Sequence, residues 1–227
     1  MAVDADHEGV KAAVEVYAVE GHVVPEERNG EKGFRAEGNG RRFLEYNKNI
    51  QLAHFLEPSL AAIVERSRID GEDGDNLQSE QSIRFLKHLF YEEFVFSPSR
   101  EDESWKLDHQ AYSFVLCSLL ESYLEGYMVA CRAIGSLTAG EPVTVDGAVE
   151  LCFTEGERMW KDGAIRREES LSRIAFKNAI KCYRKMGLLA ELQQRDDDGE
   201  EKPVLAPGEH FEERRAMEER ILSFLPR

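Results

Sequence analysis

Two groups of residues have types and spacings that could carry chemistry. The first is Tyr46, Lys48, Asn49 and His54, with Arg41 and Arg42 one turn earlier. These donors and one imidazole are set among the apolar Phe43, Leu44, Ile50, Ala53 and Phe55. Such a set suits contact with an anionic ligand or a neighbouring domain. Helix capping and a hydrogen-bonded core histidine account for the same residues structurally. The group holds no obvious nucleophile, and spacing names no acid to orient His54 as a base. The second group is a basic stripe. Between Lys161 and Lys185 there are eight basic and three acidic residues, inside a chain whose net charge is −15. On a helical wheel of about 100° per residue, Arg173, Lys177, Lys181 and Arg184 share one face. Leu171, Ala175, Asn178, Ala179, Cys182 and Met186 cluster opposite, and Phe176, Ile180 and Tyr183 run along the flank. A solvated face explains the charges but not the flanking Phe176 and Ile180. Cations edged with apolar groups suit anionic lipid, an acidic partner surface or a phosphate backbone.

The elements that must position these groups read as mostly helical. From Gln110 to Ile134, the residues Phe114, Cys117, Leu120, Leu124, Tyr127, Cys131 and Ile134 recur at three- and four-residue steps, one stripe of a long core helix. Asp108 is a candidate cap at its start and Gly135 a stop. Glu121, Glu125 and Arg132 interrupt the run, which argues against a membrane span. Before it, a helix to Glu20, a strand at His22–Val24 and a glycine-rich turn returning through Phe34 give a partial winged-helix-like segment over 1–40. A helix from Arg41 is expected to stop or restart at Pro58, and another runs from Ser79 to Phe90, within a helical segment over 41–109. Residues 110–227 follow a winged-helix order. The long helix leads to helices at 146–162 and 168–186, strands at 188–192 and 204–206 around a charged turn, and a closing helix from Pro207. The expected fold is mainly α, a helical bundle with winged-helix-like units and short β wings.

Charge and cysteine usage narrow the function classes. A net charge of −15 argues against general affinity for nucleic acid, and any contact with a polyanion must be local. The four cysteines, at 117, 131, 152 and 182, form no C-x-x-C and no Cys/His pair with zinc spacing. They read as buried free thiols, which fits a reducing, cytoplasmic compartment. The N-terminus lacks the basic and apolar regions of a signal peptide. No Ser-His-Asp, H-E-x-x-H, P-loop or G-x-G-x-x-G pattern is present, so no catalytic residue, metal or cofactor is assigned.

Three stretches carry a family resemblance. Leu44 to Ile50 (Leu-Glu-Tyr-Asn-Lys-Asn-Ile), then Ala53-His54-Phe55 and Pro58-Ser59-Leu60, resembles the Y-Y-K-N-N-I-x-H segment of the glycerol-3-phosphate and dihydroxyacetone-phosphate acyltransferases. Leu120 to Tyr127 (Leu-Glu-Ser-Tyr-Leu-Glu-Gly-Tyr) resembles that family's L-x-P-F-L-E-G-Y helix. Gly163 to Leu188, with Glu169-Ser170-Leu171-Ser172 and Asn178-Ala179-Ile180, resembles its terminal block. Asn47 stands where the family usually has a second aromatic, Ser122 where proline is common, and His54 lies further from Ile50 than the family spacing. The family's catalytic signature, a histidine followed five residues later by aspartate, is absent: the corresponding positions here are Ala12, Glu27, Ser59, Glu93, Phe114 and Arg215. The resemblance therefore implies the C-terminal, non-catalytic part of an enzyme that moves an acyl group from acyl-CoA or acyl-ACP to the sn-1 hydroxyl of glycerol 3-phosphate. It also implies a catalytic domain or subunit as partner, while the basic stripe makes anionic lipid at the cytoplasmic membrane face a second expected partner. A winged-helix nucleic-acid binder and a protein-docking scaffold are the alternatives.

Overall fold

The computed structural model describes residues 14–28, 30–36, 39–69, 76–96, 110–137, 141–195 and 201–226. These are mainly helical, with two antiparallel hairpins, as the sequence patterning implies. The chain divides into two compact units, Met1–Leu52 and Ala53–Arg227, and the boundary falls inside a helix.

In the first unit residues 14–19 are helical (α1). The His22 backbone N–H donates to Tyr17 O at 2.8 Å, closing α1, and the two rings meet edge-on at 6.4 Å. Strand β1 (Val23–Arg28) then pairs with β2 (Glu31–Ala36), with Val23 opposite Ala36 and Arg28 opposite Glu31. The return through Phe34 is thus β2. Val23 is buried, whereas Phe34 is exposed.

Helix α2 (Gly40–Ile69) corrects the reading at Pro58, which neither ends one helix nor opens another but lies inside a continuous one. An interior proline costs about 3 kcal/mol through a lost hydrogen bond and ring clash. Leu56, Leu60 and Ile63 surround it in sequence and are all buried. At about 1.5–3 kcal/mol for each fully buried side chain, their packing outweighs that cost.

The second unit is built on α4 (Gln110–Ala133). Every residue from Leu124 to Cys131 is buried, so this part of α4 is covered on all sides rather than along one stripe. α5 (Val145–Lys161), α6 (Arg173–Lys185) and α7 (Arg214–Leu222) pack around it. α3 (Asn76–Leu89) adds Phe90 at its end, whose ring meets Tyr127 edge-on at 5.4 Å. Phe85 stacks on Phe224 at 5.9 Å, beyond the C-terminus of α7. The Asp108 cap lies outside the described residues, and Gly135 falls in a 3-10 turn, Ile134–Ser136. Two N-caps set where the later helices begin. Thr144 Oγ1 accepts from Gly147 N–H at 3.0 Å ahead of α5, and the Ser172 side chain accepts from Ala175 N–H at 3.4 Å ahead of α6. α6 consequently starts at Arg173, not near 168; Glu168–Ser170 is a separate 3-10 turn.

Beyond α6, Gly187 adopts φ +75°, a conformation that favours glycine, and turns the chain into β3 (Leu189–Arg195). β3 pairs antiparallel with β4 (Glu201–Pro207) from Leu189 opposite Pro207 to Arg195 opposite Glu201. Val143, ahead of α5, bridges to Leu205 on the other edge of β4. Leu189, Val204, Leu205 and Ala206 bury the base of this hairpin, while its far end is exposed. The closing segment is shorter than the sequence suggests: a 3-10 turn, Phe211–Glu213, precedes α7.

Candidate functional site

The two carboxylates that interrupt the apolar run of α4 meet donors far along the chain. Glu125 is only 5% exposed. It accepts from the backbone N–H of Arg166 at 2.8 Å, the backbone N–H of Arg167 at 3.1 Å and the Ser170 hydroxyl at 2.6 Å. Ser170 is itself fully buried. The turn at 166–170 can sit this close because Gly126 follows Glu125: a Cβ there would lie 3.0 Å from Ser170 O. Glu-Gly on α4 and Glu-Ser in the 3-10 turn therefore form one interlocking contact.

Glu121, one helical turn earlier, holds two guanidinium groups. Arg167 donates to Oε2 through Nε at 3.1 Å and Nη2 at 2.7 Å, and Arg66 of α2 donates to Oε1 at 3.0 Å. Arg66 also donates to Phe224 O at 2.8 Å. Burial pushes the Glu121 carboxyl up, but the hydrogen bonds and charges of Arg167 and Arg66 outweigh it and hold the group below its ordinary value. One cluster thus ties α2, α4, the 166–170 turn and the end of α7 together. Both Glu125 oxygens accept from N–H or O–H donors, two of them backbone amides of the turn, so the carboxylate acts as a latch between α4 and the 166–170 turn.

A second buried polar group lies nearby. The Tyr183 hydroxyl donates to Tyr127 O at 2.6 Å. Burial pushes the Glu93 carboxyl up, against weaker opposing contributions from hydrogen bonding to Asn178 and Tyr127. Glu93 Oε1 and the Tyr127 hydroxyl are buried without a well-directed hydrogen-bond partner. Burial thus disfavours the charged form of Glu93, and the two buried atoms left without partners add a local cost.

Residues 99–191 match the model of the glycerol-3-phosphate acyltransferase C-terminal region. Over this segment the chain is similar to that family's C-terminal region. The match includes Leu120–Tyr127 and Gly163–Gly187, so it contains both sides of the Glu125–Ser170 latch; Arg66 and the Leu44–Leu60 stretch lie outside it. Comparison with curated proteins gives no match.

The structure treats the two sequence-predicted groups differently. Tyr46, Lys48, Asn49 and His54 fall on the backbone of α2, but their side chains lie outside the described residues. The basic stripe is described in full, and it needs correction. Phe176 and Ile180 are 0% and 1% exposed and belong to the core, with Phe176 edge-on to Phe153 at 5.0 Å. They are not an apolar border at the surface. The cations do face outward, but each has an acidic partner: Arg173 with Glu150, Lys177 with Asp146 at 3.1 Å, Lys181 with Glu92 at 3.2 Å, and Arg184 with Glu191 at 2.6 Å. The stripe is largely compensated within the molecule. Among the described residues no group of three or more His, Cys, Asp or Glu could hold a metal, and none of the described helices is long and apolar enough to cross a membrane. The sequence shows Glu121 and Glu125 as acids in an apolar helix, but their partners, 41 to 55 residues away, carry no local signal.

Proposed function

We propose that the chain is a non-catalytic, protein-docking part of a glycerol-3-phosphate acyltransferase system, working with a catalytic domain supplied elsewhere. The family match over 99–191 carries this reading. It is supported by the absence of any histidine followed five residues later by aspartate, and by a latch that spends its carboxylates on holding helices. The chemistry of the system is transfer of an acyl group from acyl-CoA or acyl-ACP to glycerol 3-phosphate, as a step of phospholipid synthesis. In this reading the chain reaches the cytoplasmic membrane face through its catalytic partner and not through lipid. Phe176 and Ile180 are buried, which leaves Ile174 as a single exposed apolar residue on the α6 stripe, and the stripe's charges are largely paired, so it offers little to anionic lipid. The same pairing argues against a winged-helix nucleic-acid reader, despite the winged-helix-like order of α4, α5, α6, β3 and β4.

The test combines the purified chain with a separately purified catalytic domain bearing the His-x-x-x-x-Asp signature and follows labelled acyl transfer to glycerol 3-phosphate. The expected result is no turnover by the chain alone, a stable complex, and turnover by the mixture above that of the catalytic domain. Turnover by the chain alone, or neither complex nor stimulation, would overturn the proposal. Cosedimentation of the isolated chain with anionic but not neutral vesicles would overturn the lipid-independent placement.

A further inference from the structure

The end of α3 and the last turns of α6 enclose a cleft of about 180 Å³ lined by His88, Tyr91, Glu92, Cys182 and Lys185. Taking about 30 Å³ per water, it has room for roughly six waters or one small organic molecule. Cys182, itself buried, contributes to the lining, and its thiol lies 3.8 Å from both His88 O and Met186 Sδ. Tyr91 forms a wall and is mostly exposed. The lining surface is largely apolar, and its charged members are Glu92 and Lys185. The Lys185 ammonium lies 4.9 Å from the centroid of the Tyr91 ring.

Two cations share one anion at Glu92. Lys181 and Lys185 both donate to the Glu92 carboxylate, one to each oxygen, and the Glu92 side chain is only 11% exposed. Among the described residues Glu92 is the only hydrogen-bond acceptor of either ammonium. An ammonium carries three donors, so each lysine keeps two. The trio therefore has a net positive charge and unspent N–H groups, on a chain whose total charge is −15. Unspent ammonium donors beside an apolar, aromatic-walled cleft match a molecule with a negative head and a small apolar body.

We propose that the α3–α6 cleft is a binding site for a small organic monoanion, a carboxylate with a short apolar or aromatic body. The carboxylate takes the free donors of Lys185 and Lys181 beside Glu92. The body lies against Tyr91 over Cys182. The site is independent of acyl transfer and requires no catalytic partner.

The experiment titrates the full, isotope-labelled chain with benzoate and follows backbone amide shifts. Benzyl alcohol, with a similar body and no charge, and inorganic phosphate, with charge and no body, run beside it. Benzoate is expected to give saturable shifts at His88, Tyr91 and Lys185, with affinity about tenfold above either control. Lys185→Gln and Tyr91→Ala should each remove most of that advantage. Both residues are exposed, so the melting temperature serves as the check that each variant is folded. Phosphate binding as well as benzoate would reduce the site to a general anion contact and overturn the proposal. So would benzyl alcohol binding equally well, or benzoate shifts unchanged in folded Lys185→Gln. Because the chain is tested alone, failure here leaves the acyltransferase reading standing, and the reverse also holds.

Discussion

Replacing Glu125 with alanine should destabilise the second unit by more than an ordinary surface change. Glu125 is 5% exposed and satisfies three donors: two backbone N–H groups, Arg166 and Arg167, and the Ser170 hydroxyl. Each buried donor left without a partner costs about 1–3 kcal/mol. Water entering the space vacated by the carboxylate recovers part of this, which gives about 3–5 kcal/mol for Glu125→Ala. That is a large share of the roughly 5–15 kcal/mol that holds a folded domain. Glu125→Gln keeps one acceptor oxygen but turns an NH₂ toward the donors, so about 1–3 kcal/mol is expected. Because the chain has two compact units, a single bulk melting curve is a blunt assay. Amide hydrogen exchange read residue by residue is sharper, and the Arg166 and Arg167 amides should lose protection in Glu125→Ala. A double-mutant cycle with Ser170→Ala should give a coupling of about 0.5–3 kcal/mol. A loss below about 1 kcal/mol in Glu125→Ala, with protection at Arg166 and Arg167 unchanged, would show that the latch does not hold the turn.

Two further outcomes follow from the ionisable groups. Glu93 is raised from an ordinary 4.5 and Glu121 is lowered from it, so they oppose each other in pH dependence. The Glu93 contribution is fully present below the unfolded value and is lost as pH rises through the raised folded value, so Glu93→Gln should flatten the decline of stability on that side. The Glu121 contribution is present above the unfolded value and is lost as pH falls through the lowered folded value, so Glu121→Gln should remove stability at neutral pH and flatten the acid limb; urea titrations across pH check both signs. Separately, burial pushes the thiols of Cys131, Cys152 and Cys182 up to about 12, and Cys117 upward as well, and all four are buried and free. A thiol-reactive dye at neutral pH should label none of them quickly in the native protein and all four in denaturant, and rapid native labelling would contradict the burial argument.

The sequence by itself determined the helical class, the position of the long α4 core, the two hairpins and the family resemblance at Leu120–Tyr127 and Gly163–Leu188. These depend on local information. A three- and four-residue apolar rhythm commits a segment to a helix, and a glycine-rich charged turn between short apolar runs commits it to a hairpin. What only the tertiary structure decided depends on contacts between distant residues. Glu125 reads as an interruption of an apolar helix until the turn at 166–170 brings three donors to it from about 41–45 positions away. Pro58 reads as a helix end because its local cost is unfavourable, and burial of Leu56, Leu60 and Ile63 reverses that balance. On α6 the wheel could separate charged from apolar positions. It could not tell that α4 and α5 would cover the Phe176 and Ile180 edge, or that Asp146, Glu150, Glu92 and Glu191 would arrive to pair the cations. A helix's own sequence fixes which residues share a face. Which face becomes the core, and whether a charge there is free or paired, is set by neighbours that local periodicity does not encode.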